Sequence, residues 1–165
     1  GKEHVLALLD AGDIFGDLLE TGDFGQKVFA YALEPALICA IGRDDFLGLL
    51  SREPLISLRV VGNLARRLAE AETQIETLAL RTAPQRLAGL LLRLGEGHGE
   101  PEGDTIRLSL KLTHQDMANM TALSRQTVTI LLNEWEEEGA VRKEGRLLRL
   151  FPARLREKVS PLSPT

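Results

Sequence analysis

In the stretch SRQTVTILLNEWEEEGAV, residues 124–141, apolar side chains fall at Val128, Leu131, Leu132 and Trp135. That i, i+3, i+4, i+7 spacing predicts a helix with one buried stripe. Its other face carries Arg125, Gln126, Thr129, Ile130 and Asn133. Just before it, LTHQDMANMT predicts a shorter helix opened by Thr113, with Asp116 three residues on as in a capping box. Ala122-Leu123 joins the two patterns, and Ser124 is placed to cap the second. Beyond Gly139, AVRKEGRLLRLF alternates as two short strands turning at Glu144-Gly145, a hairpin. Upstream, PQRLAGLLLRLG reads as a helix, residues 95–104 as a loop rich in glycine and acid, and TIRLSLKL as a strand.

The first part of the chain has a different rhythm. EHVLALLDAGDIFGDL and KVFAYALEPALICAI contain short apolar or alternating runs cut by Ala11-Gly12-Asp13, Gly22-Asp23, Gly25 and Glu34-Pro35. This is the pattern of small antiparallel strands in a barrel or jelly roll. A short helix is expected over 43–50, and Pro54 opens a long one that runs through Leu80. On that long helix Leu58, Val61, Ala65, Leu68, Glu72, Ile75 and Ala79 recur three and four apart. Such a seam is how two helices pack along each other. One amphipathic helix lying on its own domain is the alternative. The helix's length, and the crowding of Arg66, Arg67, Glu70 and Glu72 around a narrow stripe, favour a homodimer. Ala83-Pro84 ends the pattern and sets a boundary near 81–84. The fold class expected is α+β, with a jelly-roll-type β domain over 1–52, a dimerisation helix and hinge over 53–81, and a winged helix-turn-helix over 82–165.

With 165 residues, 44% of them hydrophobic and 27% charged, the chain has the makeup of an ordinary globular protein. The single cysteine, Cys39, excludes an internal disulfide and an all-cysteine metal cluster, which favours a reducing cytoplasm. No run has the length of a membrane span, no signal peptide is visible, and no membrane partner is expected. The chain opens at Gly1 without an initiator methionine, as a fragment would. Net charge is −4, but residues 1–80 hold 7 Lys+Arg against 13 Asp+Glu, and 81–165 hold 13 against 11. Only the second part is basic, so two domains with different tasks are implied. No glycine-rich phosphate loop, His/carboxylate metal spacing or G-x-S-x-G is present. No catalytic residue, metal or cofactor is therefore expected.

Two helices and a tight turn, followed by a hairpin wing, form the layout that lays its second helix in the major groove of double-stranded DNA. Arg125 suits the O6 and N7 of guanine, and Gln126 the N6 and N7 of adenine. Thr129, Ile130 and Asn133 complete the candidate base-reading face. Thr113, Gln115, Ser124, Thr127 and Arg146 are candidates for phosphate oxygens, which set register without reading sequence. Two plain solvated helices, with Ser124 merely a cap, are the competing reading. The wing weakens it.

LSRQTVTILLNEWEEEGAV resembles the recognition helix of the CRP/FNR family of bacterial transcription regulators. GDIFGDL resembles the family's phosphate-side barrel turn, NLARRLAE its dimer helix and LTHQDMANMTALSRQTV its helix-turn-helix. The resemblance implies a homodimer that binds a pseudo-palindromic site and activates by recruiting RNA polymerase. Repression by site occlusion, or gating by another small effector, is the alternative. It also implies that residues 1–52 are a partial jelly-roll sensor domain, the first strands of whose barrel are absent from this sequence. Departures matter as much. Cyclic-nucleotide binders carry Gly-Glu-Leu and an Arg-Ser or Arg-Thr pair where this chain has Gly16-Asp17-Leu18 and Val28-Phe29, and Ala71 and Glu72 stand where hydroxyl residues would meet the purine. Those five barrel residues are expected to be a vestigial effector pocket, and the protein is expected to work without cyclic AMP. Cys39 alone cannot supply a cluster, and His4 is expected in a strand instead of on a haem. Ile130 stands where the cyclic-AMP receptor branch has arginine. Glu134, Glu136, Glu137 and Glu138 are expected to form a solvated face kept away from phosphates.

Overall fold

The computed structural model describes residues 3–16 and 29–159. Its elements are α1 (Arg43–Arg52), α2 (Pro54–Leu80), α3 (Ala83–His98), β1 (Gly99–Glu102), β2 (Thr105–Leu108), α4 (His114–Thr121), α5 (Arg125–Glu137), β3 (Val141–Glu144), β4 (Leu147–Leu150) and α6 (Pro152–Val159). The chain divides into two compact units inside α2, residues 7–73 on one side and 74 onward, with residues 3–6, on the other. Among the described residues no helix is long and apolar enough to cross a membrane.

The C-terminal unit is α+β, as expected. Its four strands form one antiparallel sheet in the order β1-β2-β4-β3. Register explains how the sheet faces two ways: Pro101, Ile106, Leu150 and Val141 lie in one row, and Glu100, Arg107, Arg149 and Arg142 in the next. Side chains alternate between faces along a strand, so in the first row Leu150 and Val141 are buried and Ile106 half-buried, with Pro101 exposed at the sheet edge, while the second row faces outward. The core joins Leu87, Leu91 and Leu94 of α3 to Leu108, Met117, Val128, Leu132, Trp135, Leu150 and Leu155, all nearly inaccessible to water. On the outer row, Arg149 pairs with Glu102 at 2.6 Å and Glu144 at 2.5 Å, and Arg107 pairs with Glu100 and Glu102. The carboxylates hold Arg107 and Arg149, neighbours that would otherwise repel, and Arg142 beside them lies over the Phe151 ring.

Three differences from the sequence reading concern this unit. Residues 95–104 are not a loop: α3 continues to His98, and β1 follows directly and pairs with β2 across the two-residue turn Gly103-Asp104. The signal was there in Gly103, which takes φ +61°. A β-carbon on Gly99 would lie 2.4 Å from the Gly95 carbonyl oxygen, so glycine is what lets the helix run straight into the strand. The strand expected across 105–112 ends at Leu108. Finally, α6 has no counterpart in the sequence reading, although Pro152 opens it and Leu155 is wholly buried.

In the unit of residues 7–73, α1 extends two residues beyond expectation and α2 opens at Pro54 as expected. Among the described residues no strand precedes Gly99, so the antiparallel strands read into 3–16 and 29–42, His4 included, are not formed there. An alternating run becomes a strand only where a second backbone takes its hydrogen bonds, and sequence alternation alone does not supply one. Asp13 instead turns back on α2, accepting from Asn63 Nδ2 at 2.9 Å and pairing with Arg66 at 2.5 Å. Arg66 also pairs with Glu70 at 2.6 Å, and Arg67 donates to the Ile14 carbonyl. These two arginines are thus engaged locally.

Candidate nucleic-acid interface

Capping sets the entry to both helices of the pair. Thr113 Oγ1 accepts from the Asp116 amide at 3.1 Å, and the Asp116 carboxylate accepts from the Thr113 amide at 2.7 Å, a reciprocal box. After Thr121 the chain reverses through Ala122, whose φ of 52° is left-handed, and the Leu123 amide closes onto the Ala118 carbonyl. Arg86 of α3 donates to the Thr121 carbonyl at 3.1 Å and holds that end in place. Ser124 Oγ then accepts from the Thr127 amide at 2.9 Å and starts α5. The expected stripe of α5, Val128, Leu131, Leu132 and Trp135, is buried. Its far end closes with two bonds, Gly139 N to Glu136 O and Ala140 N to Trp135 O, around Gly139 at φ +71°.

Burial of that stripe leaves the opposite face of α5 outward. Arg125, Gln126, Ile130 and Asn133 are exposed, and no carboxylate pairs with Arg125 among the described residues. Thr129 is half-buried, and its hydroxyl lies 2.9 Å from the Arg125 carbonyl and 2.8 Å from His114 Nδ1. That contact ties the first residue of α4 to the second turn of α5. Burial of His114, with Lys143 and Arg125 nearby, holds its imidazole pKa below the ordinary value.

The hairpin wing stands against the pair. Gly145, at φ +63°, and Arg146 make its two-residue turn, with Arg146 exposed at the tip. Lys143 reaches back to α5, donating to Asn133 Oδ1 at 2.8 Å and pairing with Glu136 at 2.8 Å. A groove of about 320 Å³ runs between the start of α4 and the wing, lined in part by Lys111, Thr113, His114, Lys143 and Arg146. Three of those five side chains carry fixed positive charge, which suits a phosphate backbone.

Several assignments change in detail. The Thr113 hydroxyl proton goes to Asp116 Oδ2 at 2.7 Å, so it is already committed, and a carboxylate stands beside it. Thr127 is half-buried with its hydroxyl 2.8 Å from Ser124 Oγ, and Gln115 donates to Asn119 at 2.7 Å. Asn133 is taken up by Lys143. Of the acidic run, Glu136 is bound to the wing, and Lys158 pairs with Glu138, so the run is not simply a solvated face. Sequence reasoning missed Lys111, Lys143 and His114. A lysine on a hairpin four residues from Gly139 carries no local signal of what it will face.

Elsewhere, the seven seam positions of α2 are all exposed, among them Leu58 at 67%, Val61 at 61%, Leu68 at 62% and Ile75 at 68%. Ala65, Glu72 and Ala79 share that exposure. Of the expected effector pocket, Asp17, Leu18 and Val28 lie outside the described residues, while Gly16 and Phe29 are both exposed. Among the described residues no cluster of His, Cys, Asp and Glu has the makeup of a metal site.

Comparison with known proteins agrees with this geometry. Residues 85–158 match the model of a Crp-like helix-turn-helix domain. The chain is 32% identical over 161 residues to a cyclic AMP receptor protein of Thermus thermophilus, covering 97% of this chain and 71% of that one. It is 36% identical over 139 residues to a global nitrogen regulator of Synechocystis, covering 83% and 62%. A solved Thermus thermophilus transcriptional regulator of the CRP/FNR family superposes with a TM-score of 0.57 at 30% identity, over 65% of this chain and 55% of that one. The chain therefore spans only part of the proteins it matches.

Proposed function

This chain belongs to the CRP/FNR family of transcription regulators, and on that premise we propose that it is a homodimeric, sequence-specific DNA-binding protein that activates transcription without cyclic AMP. The observation that carries this reading is the outward face of α5, where Arg125 and Gln126 stand exposed in the first turn of a helix whose back is buried. Lying in the major groove, that turn sets Arg125 against a guanine and Gln126 against an adenine. Ser124, Gln115 and Arg146, with Lys111 and Lys143, hold phosphates, and Asn133 reads bases once Lys143 moves to the backbone. The exposed seam of α2, from Leu58 to Ala79, pairs with a second copy and so presents two α5 helices to a pseudo-palindrome. Residues 1–52 belong to the sensor domain and 82–165 to the DNA-binding domain, with the helix between them.

Independence of cyclic AMP rests on Val28-Phe29. A phosphate there has no forked arginine contact to replace its water. Activation through RNA polymerase is the outcome assigned to the bound dimer.

Binding should be measured against duplexes selected from a random pool and against unselected duplexes. Arg125→Ala should lower discrimination at one position in each half-site by about 1–3 kcal/mol and leave binding to random duplex nearly unchanged. An equal loss on both would overturn the groove assignment. Calorimetry should detect no micromolar binding of cyclic AMP, and specific DNA binding that appeared only on its addition would overturn the second claim.

A further inference from the structure

Ile130 is the one large apolar side chain exposed within residues 83–159, at 49% accessibility, among the described residues. Every other large apolar residue of that region has found a place in or near the core. Helix geometry explains why Ile130 has not: it lies four residues after Gln126 and three before Asn133, on the outward stripe, while Leu131 and Leu132 beside it turn inward. About half of its surface stays open to solvent, so intramolecular packing leaves that half unexplained, and a β-branched residue adds nothing to helix propensity there. Its surroundings are Arg125, Gln126, Thr129 and Asn133, groups that can hydrogen-bond. An apolar side chain set among hydrogen-bonding groups on a groove-facing helix matches one feature of the major groove, the C5-methyl of thymine.

We propose that Ile130 reads a C5-methyl group, so that each half-site carries a thymine about two base pairs from the pair read by Gln126. This rests on the DNA-binding reading above. The offset follows from the rise of the helix, ~1.5 Å per residue, against about 3.4 Å per base step. Selection works in both directions. Methyl and isoleucine exclude water together, whereas a guanine in that place would lose the water on O6 and N7 and find no donor.

The test uses the whole chain and duplexes selected from a random pool. Each thymine of a half-site is replaced, one at a time, by deoxyuridine, which lacks the methyl but keeps every hydrogen-bonding group. One thymine per half-site should prove sensitive, its replacement weakening binding about fourfold, the factor equivalent to about 0.8 kcal/mol for one buried methyl-sized group. In Ile130→Ala that sensitivity should vanish while Arg125-dependent discrimination persists, which isolates the pair. At the same position, 5-methylcytosine should bind better than cytosine by a similar factor. Ile130 is exposed, so its replacement should leave the thermal midpoint unchanged. Selected duplexes insensitive to every deoxyuridine, or sensitivity undiminished in Ile130→Ala, would overturn the inference and leave the DNA-binding reading intact. Failure to enrich any duplex would overturn both.

Discussion

In residues 83–159 nearly every large apolar side chain points into one core, with Leu87, Leu91, Leu132, Leu150 and Leu155 wholly inaccessible. In residues 7–73 the described ones that are buried are Phe46 and Val60, while Leu37 is 92% exposed, Tyr31 76% and Leu55 74%. Both regions are rich in the same residue types. What differs is partners. A helix stripe in the C-terminal region meets another helix or a sheet of its own chain, so burial is complete within the molecule. Among the described residues the stripe on α2 stays exposed, as an apolar strip offered to a partner would. The lesson is that periodicity announces a face, while only the surrounding chain decides whether that face is a core or an interface.

The contrast can be broken most severely at Leu132. Leu132→Ala should cost about 2–5 kcal/mol in urea unfolding, because the cavity cannot collapse in a packed core. Leu68→Ala, at 62% exposure, should change the intramolecular stability of the same chain by less than about 0.5 kcal/mol. Comparable losses at the two sites would erase the distinction. A second test puts charge into the seam. Leu68→Lys combined with Ile75→Lys should yield monomers in sedimentation, and a dimer unaffected by the pair would remove α2 as the interface.

Smaller effects probe the helix pair itself. Ala122 holds a left-handed backbone at φ 52°, a conformation that costs an L-residue about 1–2 kcal/mol. Glycine relieves that cost and gives back about 0.5–1 kcal/mol in chain entropy, so Ala122→Gly should raise stability by roughly 0.5–1 kcal/mol. A lower melting temperature for that variant would show that the turn is not strained. The smallest effect is expected from His114. Its pKa is held below the ordinary 6.5 by burial and by the charges of Lys143 and Arg125. As pH falls below 6.5 the unfolded chain takes the proton first, so stability should rise with pH between the folded pKa and 6.5 and stay level above it. His114→Gln should flatten that slope in denaturation curves taken across the window. An unchanged slope would place its origin elsewhere.

Much of the C-terminal region was legible before any coordinates. The stripe Val128, Leu131, Leu132 and Trp135, the caps at Thr113 and Ser124 and the hairpin turn, expected at Glu144-Gly145 and formed one residue on by Gly145-Arg146, are local signals, each set by residues within a few positions of one another. For the same reason Arg125 and Gln126 could be placed outward from spacing alone. Not every local signal is read at face value: Gly103-Asp104, inside an expected loop, turns a hairpin, and Pro152 opens a helix that the apolar pattern does not announce.

Other features depend on residues far apart in the chain and had no local trace. The bond between His114 and Thr129 spans 15 positions, and that between Arg149 and Glu102 spans 47. Whether a threonine hydroxyl is free for a phosphate or spent on a neighbour, as at Thr113 and Thr129, follows from rotamer and approach, which composition does not encode. The strands expected early in the chain make the same point from the other side, since a strand is a relation between two backbones. Sequence by itself determined which faces are apolar and where helices begin, because periodicity and capping are short-range. Tertiary structure alone decided what each face meets, because burial and pairing belong to the surrounding volume and not to the segment.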